Sequence, residues 1–385
     1  MHPSFADLGV PAPLCATLAR RGITAPFPVQ AATVPDVLAG RDVAGRAPTG
    51  SGKTLAFGLA VAVQAAGAGR PVPHRPRALV LVPTRELAGQ VRRELAALVD
   101  ERRHGRVLAV HGGVGYGPQR ARLARGVAAV VACPGRLEDL VASGDVRLDR
   151  AALVVVDEAD RMADMGFLPA VRRLLDRTPD ERQTLLFSAT LDGDVDALVR
   201  RYQRSPVRHE AAGVAEARGP VEHLFWSVPR AERVAVTAEV VDRAGPTIVF
   251  TRTRHGADRL AHQLARRGVR AEAIHGRRSQ AQRDRALRRF RAGAADALVA
   301  TDVAARGIHV DGVACVVHFD VPGDAKDYVH RSGRTGRAGA AGAVVSLVAE
   351  DGRRAVRALQ RDAGIDGPIE RPDPARLASP APAAR

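Results

Sequence analysis

Leu153-Val154-Val155-Val156 leaves no polar position for a solvent-facing side of a strand. A strand of this kind is buried on both faces, which calls for a parallel sheet with helices packed on either side. The same kind of short run recurs at 78–82, 107–110, 128–132 and 184–187. A second series follows at 223–228, 247–250, 271–274, 297–300, 314–319 and 343–348. Longer Ala/Leu/Arg stretches of helical period separate the runs. The expected fold class is therefore α/β, with two mainly parallel sheets flanked by helices. Composition marks the expected divisions: a first domain over 1–210, an Ala- and Gly-rich linker over 211–220, a second domain over 221–365, and a Pro/Ala/Arg-rich disordered tail over 366–385.

The run at 153–156 closes on Asp157-Glu158-Ala159-Asp160. Ligands of open parallel sheets bind at the carboxyl ends of the strands, so acids there are placed to hold a metal ion and a water. A surface acidic turn is the weaker alternative. Upstream lies Ala47-Pro48-Thr49-Gly50-Ser51-Gly52-Lys53-Thr54, a Gly-rich turn that opens an apolar helical stretch. In such a turn the backbone around Thr49, Gly50, Ser51 and Gly52 approaches phosphate oxygens closely. Lys53 would neutralise the β- and γ-phosphates, and the Thr54 hydroxyl would be a ligand for Mg²⁺. Asp157 would hold the same ion, directly or through water, and Glu158 would orient the attacking water. Together the segments point to hydrolysis of a nucleoside triphosphate. Asp160 is expected to hydrogen-bond Ser188-Ala189-Thr190, which ends the run at 184–187.

With these segments in place, the chain resembles the DEAD-box RNA helicases over about residues 5–350, in wording closest to the bacterial RhlE-like subgroup. Gly22-Ile23-Thr24-Ala25-Pro26-Phe27-Pro28-Val29-Gln30 is similar to the family's adenine-reading Q motif. The resemblance implies that Gln30 pairs with the adenine edge and that Phe5 stacks on the ring. Pro83-Thr84-Arg85-Glu86-Leu87-Ala88, Gly112-Gly113 and Pro134-Gly135-Arg136-Leu137 are similar to segments that grip an RNA backbone, through N–H groups and arginine charge. Arg252, within Val249-Phe250-Thr251-Arg252-Thr253, and Thr301, within Ala300-Thr301-Asp302-Val303-Ala304-Ala305-Arg306-Gly307, continue that surface in the second half. Taken alone, each segment reads equally as a helix cap or a turn. In His330-Arg331-Ser332-Gly333-Arg334-Thr335-Gly336-Arg337 the resemblance implies that Arg334 and Arg337 reach the γ-phosphate, and that His330 and Arg331 couple the segment to an interdomain contact. It further implies two RecA-like domains, ATP and Mg²⁺ as cofactors, and single-stranded RNA and short duplexes as largely sequence-independent partners. Two positions depart from the pattern: Cys133 stands where the family has Thr, and His309 where it has an Asp that reaches the ATP ribose.

The formal net charge of +16 favours a polyanionic partner. Only Lys53 and Lys326 are lysines among 58 basic residues, so an Arg-rich composition accounts for part of that charge. Aromatic residues make up 3% of the chain, too few for an extended base-stacking platform, which leaves the nucleic-acid backbone as the handle. Most arginines over 283–291 read as a solvated helix face. Cys15, Cys133 and Cys315 are scattered, which suits a reducing cytoplasm better than a disulfide framework or a zinc site. No stretch is long and apolar enough to span a membrane. Two rival readings remain: a DNA-directed helicase of the same superfamily, and an RNA clamp that binds without productive unwinding.

Overall fold

The computed structural model describes residues 3–47, 51–67, 69–191, 193–210, 219–305, 312–336 and 339–377. The chain divides into two units, Met1–Ala215 and Glu216–Arg385. The first holds a seven-stranded sheet in the order β3-β4-β2-β5-β6-β1-β7. Its strands are β1 Val43–Arg46, β2 Ala78–Leu81, β3 Val107–Val110, β4 Ala129–Ala132, β5 Leu153–Asp157, β6 Gln183–Ser188 and β7 Val207–Glu210. The second sheet has the order β10-β11-β9-β12-β13-β8-β14. Its strands are β8 Val221–Ser227, β9 Thr247–Phe250, β10 Ala271–Ile274, β11 Ala297–Ala300, β12 Cys315–His318, β13 Gly342–Val348 and β14 Ile369–Glu370. Every pairing within these sheets is parallel. Strand for strand, the two orders are the same.

The doubly buried runs do what their composition demands. In β5, Val155 enters one apolar cluster with Phe57, Leu59, Val80, Leu185 and Phe187. Val154 and Val156 enter another with Leu79, Leu81, Val130 and Leu186. The central strands thus seal two helix layers to one sheet, each fully buried aliphatic side chain contributing roughly 1.5–3 kcal/mol. The second unit repeats the arrangement, with Val316 on one face of β12 and Val317 on the other. Asp42, 7% exposed, fixes the start of the first sheet: its carboxylate accepts from the Thr184 and Arg204 N–H groups, each at 2.6 Å.

Three strands went unread in the sequence. β1 is Val-Ala-Gly-Arg, a poor strand former by composition. Gly45 belongs there because Phe187 faces it across the ladder, and a Cβ at 45 would sit 2.6 Å from Cδ1 of that ring. Phe187 in turn packs against Phe57 with ring centroids 5.8 Å apart. β7 is an edge strand with alternating half-buried and exposed residues, so it lacks the apolar run. β14 lies inside the segment expected to be a disordered tail, and that expectation is corrected here. Ile369 and Glu370 pair with Phe225 and Trp226 of β8. Ile369 and Leu377, 7% and 5% exposed, are buried in the two apolar clusters of this unit. Arg376 adds ion pairs to Glu222, at 2.6 Å, and to Glu370. Two apolar anchors and one short ladder suffice to order 366–377 in a sequence whose composition reads as a tail. Most of the expected linker, 211–218, and the end of the chain, 378–385, lie outside the described residues. Among the described residues no helix is long and apolar enough to cross a membrane.

Gly45→Val places a branched side chain against Phe187. It should destabilise the first unit by about 1–3 kcal/mol through overpacking. Thermal unfolding of the variant and the parent checks this, and an unchanged midpoint would show that the Phe187 ring can move aside.

Candidate functional site

The three adjacent strands β5, β6 and β1 end together, and their ends are tied to one another. The Ala47 N–H donates to the Ser188 carbonyl at 2.9 Å, so Ala47 continues the β1 ladder. The Ser188 hydroxyl accepts from the Asp160 N–H at 3.1 Å. Ser188 therefore joins the end of β1 to the acidic turn with one backbone and one side-chain bond. The coupling expected of Asp160 runs through its backbone N–H; Thr190 is exposed.

Lys53 opens the helix Lys53–Ala66, with Thr54 next in its first turn. The lysine is 6% exposed, and its Nζ donates to the Ala47 carbonyl at 2.9 Å and lies 3.9 Å from Asp157 Oδ1. Asp157 ends β5 at 3% exposure. Burial pushes its carboxyl up to about 6; the Lys53 charge opposes the shift and the neighbouring Glu158 carboxylate adds to it. Glu158 has φ 54 and ψ 51, a left-handed conformation that a non-glycine residue holds at a cost. That turn separates two consecutive carboxylates. Asp157 Oδ1 accepts from the Glu158 N–H at 3.0 Å, and Glu158 Oε2 accepts from Arg161 at 2.9 Å. Arg161 was not singled out in the sequence, although a cation three residues after an acid at a helix start is a visible signal.

The segment around Gln30 packs on the same loop. Gln30 Oε1 accepts from the Phe27 N–H, and its Nε2 donates to the Gly52 carbonyl, both at 2.9 Å. Gly52 has φ +88, and a Cβ there would lie 2.4 Å from Gln30 Nε2 and 2.6 Å from the Phe27 ring. Glycine is thus required by both the turn and the Gln30 contact. An amide so held keeps a second lone pair and a second N–H for a ligand edge. Phe27 is 52% exposed, whereas Phe5 is 4% exposed and packs in the apolar cluster with Leu8, Val10 and Leu18. The stacking role expected of Phe5 is therefore corrected: its ring is a core anchor here, and Phe27 is the exposed aromatic at this loop. Ser51 is 4% exposed, while Thr49 and Gly50 lie outside the described residues.

On the other half of the same sheet edge, the ends of β2, β3 and β4 gather the segments expected to meet a nucleic-acid backbone. Thr84 caps the helix Arg85–Ala96, its hydroxyl accepting from the Leu87 N–H at 3.3 Å. The Arg85 guanidinium lies along Gly112 and Gly113, where a Cβ at 113 would meet its Nη1 at 2.3 Å. Pro134, Gly135 and Arg136 form the first turn of the helix Pro134–Ala142, with Cys133 at its N-cap. Arg136 Nη1 donates to the Val114 carbonyl at 2.9 Å. A helix start beside the Arg85 and Arg136 guanidinium groups is a natural seat for anionic oxygens. Among the described residues four large apolar side chains are exposed, Phe27, Val114, Tyr116 and Val329, and two of them flank this turn.

In the second unit the ends of β9 and β11 carry Arg252 and Thr301. The Arg252 N–H donates to Asp320 at 2.8 Å, and Thr301 is 7% exposed. Thr253 caps the following helix. His330 and Arg331, expected to act together, differ in burial. Arg331 is 6% exposed and forks onto Asp302, with Nε to Oδ1 at 2.5 Å and Nη2 to Oδ2 at 2.7 Å, while Nη1 donates to the Asp320 carbonyl at 2.7 Å. It is committed to its own unit. His330 is exposed and Arg334 half-buried. Asp302 was missed as a partner, though an acid two residues after a buried strand run was its signal. Arg337 and His309 lie outside the described residues. The arginines at 285, 288, 289 and 291 are exposed as expected of a solvated face, whereas Arg283 is buried.

Residues 27–198 match the DEAD/DEAH box helicase family, and residues 232–339 match the helicase conserved C-terminal domain. The chain is 41% identical over 370 residues to the chloroplastic DEAD-box ATP-dependent RNA helicase 3A of Zea mays, covering 94% of this chain and 49% of that protein. It is 38% identical over 363 residues to the DEAD-box ATP-dependent RNA helicase CshA of Bacillus subtilis, covering 94% and 72%. The chain thus spans about half the length of the maize relative and nearly three quarters of the Bacillus one. Among solved structures it is similar to S. cerevisiae Dbp5 bound to RNA and ADP BeF3, with a TM-score of 0.79, 26% identity and 95% of each chain covered.

The raised Asp157 carboxyl sets a pH dependence of stability. Its folded value near 6 exceeds the unfolded 3.8, so between these the folded state binds more protons than the unfolded state. Stability of the nucleotide-free chain should fall as pH rises through that window, by at most about 3 kcal/mol from this group. Denaturant titrations at successive pH values check it. Asp157→Asn should flatten the fall, and an unaltered profile in that variant would place the titration elsewhere.

Proposed function

The chain belongs to the family of DEAD-box ATP-dependent RNA helicases, and on that premise we propose that it is an RNA-stimulated ATPase that opens short RNA duplexes locally. The observation that carries this reading is the buried Lys53–Asp157 pair, 3.9 Å apart, beside a Glu158 held in a left-handed turn. ATP would lie in the first domain, over 1–210. Lys53 already points at a carbonyl oxygen and would exchange it for phosphate oxygens. Gln30 would hold the adenine edge with the amide valences left over from Phe27 and Gly52, and Phe27 would supply the exposed ring.

The donor set fits Mg²⁺ brought in with the nucleotide. Among the described residues no group of three His, Cys, Asp or Glu is placed to hold a metal ion alone. Mg²⁺ bound with phosphates needs only one or two protein ligands, and Asp157 and Thr54 are such a pair. When bound, the ion offsets charge on the phosphate oxygens. Glu158, held by Arg161, would accept a proton from or orient the attacking water. Thr84, Arg85, Gly112, Gly113, Pro134, Gly135 and Arg136 would grip the RNA backbone, and Arg252 and Thr301 of the second domain, over 221–365, would also contact RNA. Arg334 and Arg337 would bring charge to the γ-phosphate. Recognition of backbone by N–H groups and arginines favours sequence-independent binding.

ATP turnover should rise with single-stranded RNA and rise less with DNA of the same sequence, because only RNA offers the 2′-hydroxyl. Lys53→Ala should weaken nucleotide binding. Glu158→Gln should keep nucleotide binding but lose about 10²-fold or more in turnover. Arg334→Ala should lower RNA-stimulated turnover with little change in nucleotide affinity. Equal stimulation by DNA would favour a DNA-directed enzyme, and ATP-dependent RNA binding without strand separation would favour a clamp. Wild-type hydrolysis by Glu158→Gln would remove that carboxylate from the reaction.

A further inference from the structure

We propose that Tyr116 is a positioning residue of the RNA-gripping surface, holding the Arg136 guanidinium in the orientation that meets a phosphate. The inference rests on the RNA-binding reading above and adds to it a residue that no motif resemblance named.

Tyr116 opens the helix Tyr116–Leu123, directly after the Gly112–Gly113 turn. It is 37% exposed, unusual for a large ring in a chain so poor in aromatics. Two contacts fix it. Its hydroxyl donates to Asp139 Oδ2 at 2.7 Å, and the Arg136 guanidinium carbon stands 3.8 Å from the ring centroid. Asp139 and Arg136 lie three residues apart on the helix Pro134–Ala142, one turn on the same side. The hydroxyl bond also raises the Tyr116 phenol above its ordinary value. A second arginine, Arg120, has its carbon 5.3 Å from the same ring and is itself held by Asp145 at 2.7 Å.

The arrangement is a chain from Asp139 to Tyr116 to Arg136 to the Val114 carbonyl. The ring supports one face of the guanidinium through cation–π attraction, and Val114 takes one N–H. Arginine has five N–H donors in a planar fork, so donors remain for a bidentate phosphate contact. A long, exposed side chain otherwise loses rotamer freedom when it binds, and that loss weakens association. Pre-stacking on Tyr116 moves the ordering into the folded state. Hence Tyr116 acts on RNA affinity through Arg136, not on the hydrolytic step.

The test uses the full chain, a fluorescein-labelled single-stranded RNA, and ADP with beryllium fluoride. Tyr116→Ala should weaken RNA binding about 3- to 10-fold. The RNA concentration for half-maximal ATPase should rise by the same factor, with turnover at saturating RNA retained. Tyr116→Phe keeps the ring face and should recover most of the affinity. In an Arg136→Ala background, Tyr116→Ala should add almost nothing, since the two act as one unit. Losses that multiply in the double variant would overturn the proposal, by showing that Tyr116 touches RNA itself. A lowered melting temperature with unchanged RNA affinity would also overturn it, leaving Tyr116 as a strap between two helices. Absence of RNA-stimulated ATPase in the parent chain would instead remove the RNA reading on which the proposal stands.

Discussion

A lysine and an aspartate, 6% and 3% exposed and 3.9 Å apart, are the constraint around which the first unit is arranged. Neither tolerates such burial alone: an unpaired charge in an apolar interior costs several kcal/mol. The pair is too widely spaced for a hydrogen bond, so each charge needs a further partner. Lys53 takes the Ala47 carbonyl, and Asp157 takes the Glu158 N–H. Those bonds in turn require β1, β5 and β6 to end at one level, and Ser188 sets that level by holding both Ala47 and Asp160. The strained φ of Glu158 and the positive φ of Gly52 are the local consequences. A site built this way is poised for an anionic ligand that satisfies Lys53 better than a carbonyl does.

The second unit shows what the same strand order does without that pair. The pairing registers align β12 with β5 and β8 with β1, which sets Phe319 and Asp320 where the first unit has Asp157 and Glu158, and Val228 where it has Ala47. The helix after β8 begins with Arg233, as the helix after β1 begins with Lys53. Arg233, however, donates to the Phe319 and Leu347 carbonyls, pinning the ends of β12 and β13. Pro229 in the connecting turn lacks an N–H, and Asp320 accepts from the Arg252 N–H. One strand order thus hosts the proposed phosphate cradle in one unit and a structural knot in the other. The difference lies in a few residues at the strand ends.

Much of this was legible in the sequence because doubly buried strands admit few residue types. The runs at 107–110, 247–250, 271–274 and 297–300 coincide with β3, β9, β10 and β11. The unread strands are those whose residues answer to a neighbour instead of to their own propensity: Gly45 to Phe187, and Ile369 to Phe225. In the site, residue types predicted chemistry well but direction poorly. Phe5 has the right type for stacking and is buried; Arg331 is adjacent to His330 and faces its own unit. Direction depends on which partner lies nearby, as Asp302 does for Arg331, and that is a property of the packed chain. Tyr116 carried no sequence signal because its meaning lies in Arg136 and Asp139, on a different helix.

In the proposed Mg²⁺·ATP site a partly protonated Asp157 would have to ionise on binding, and this is open to direct measurement. Calorimetric titration near pH 6, in buffers of different ionisation enthalpy, counts the protons released on binding. The account predicts release of about half a proton that is absent in Asp157→Asn. Buffer-independent heats, identical in the parent and in Asp157→Asn, would contradict it.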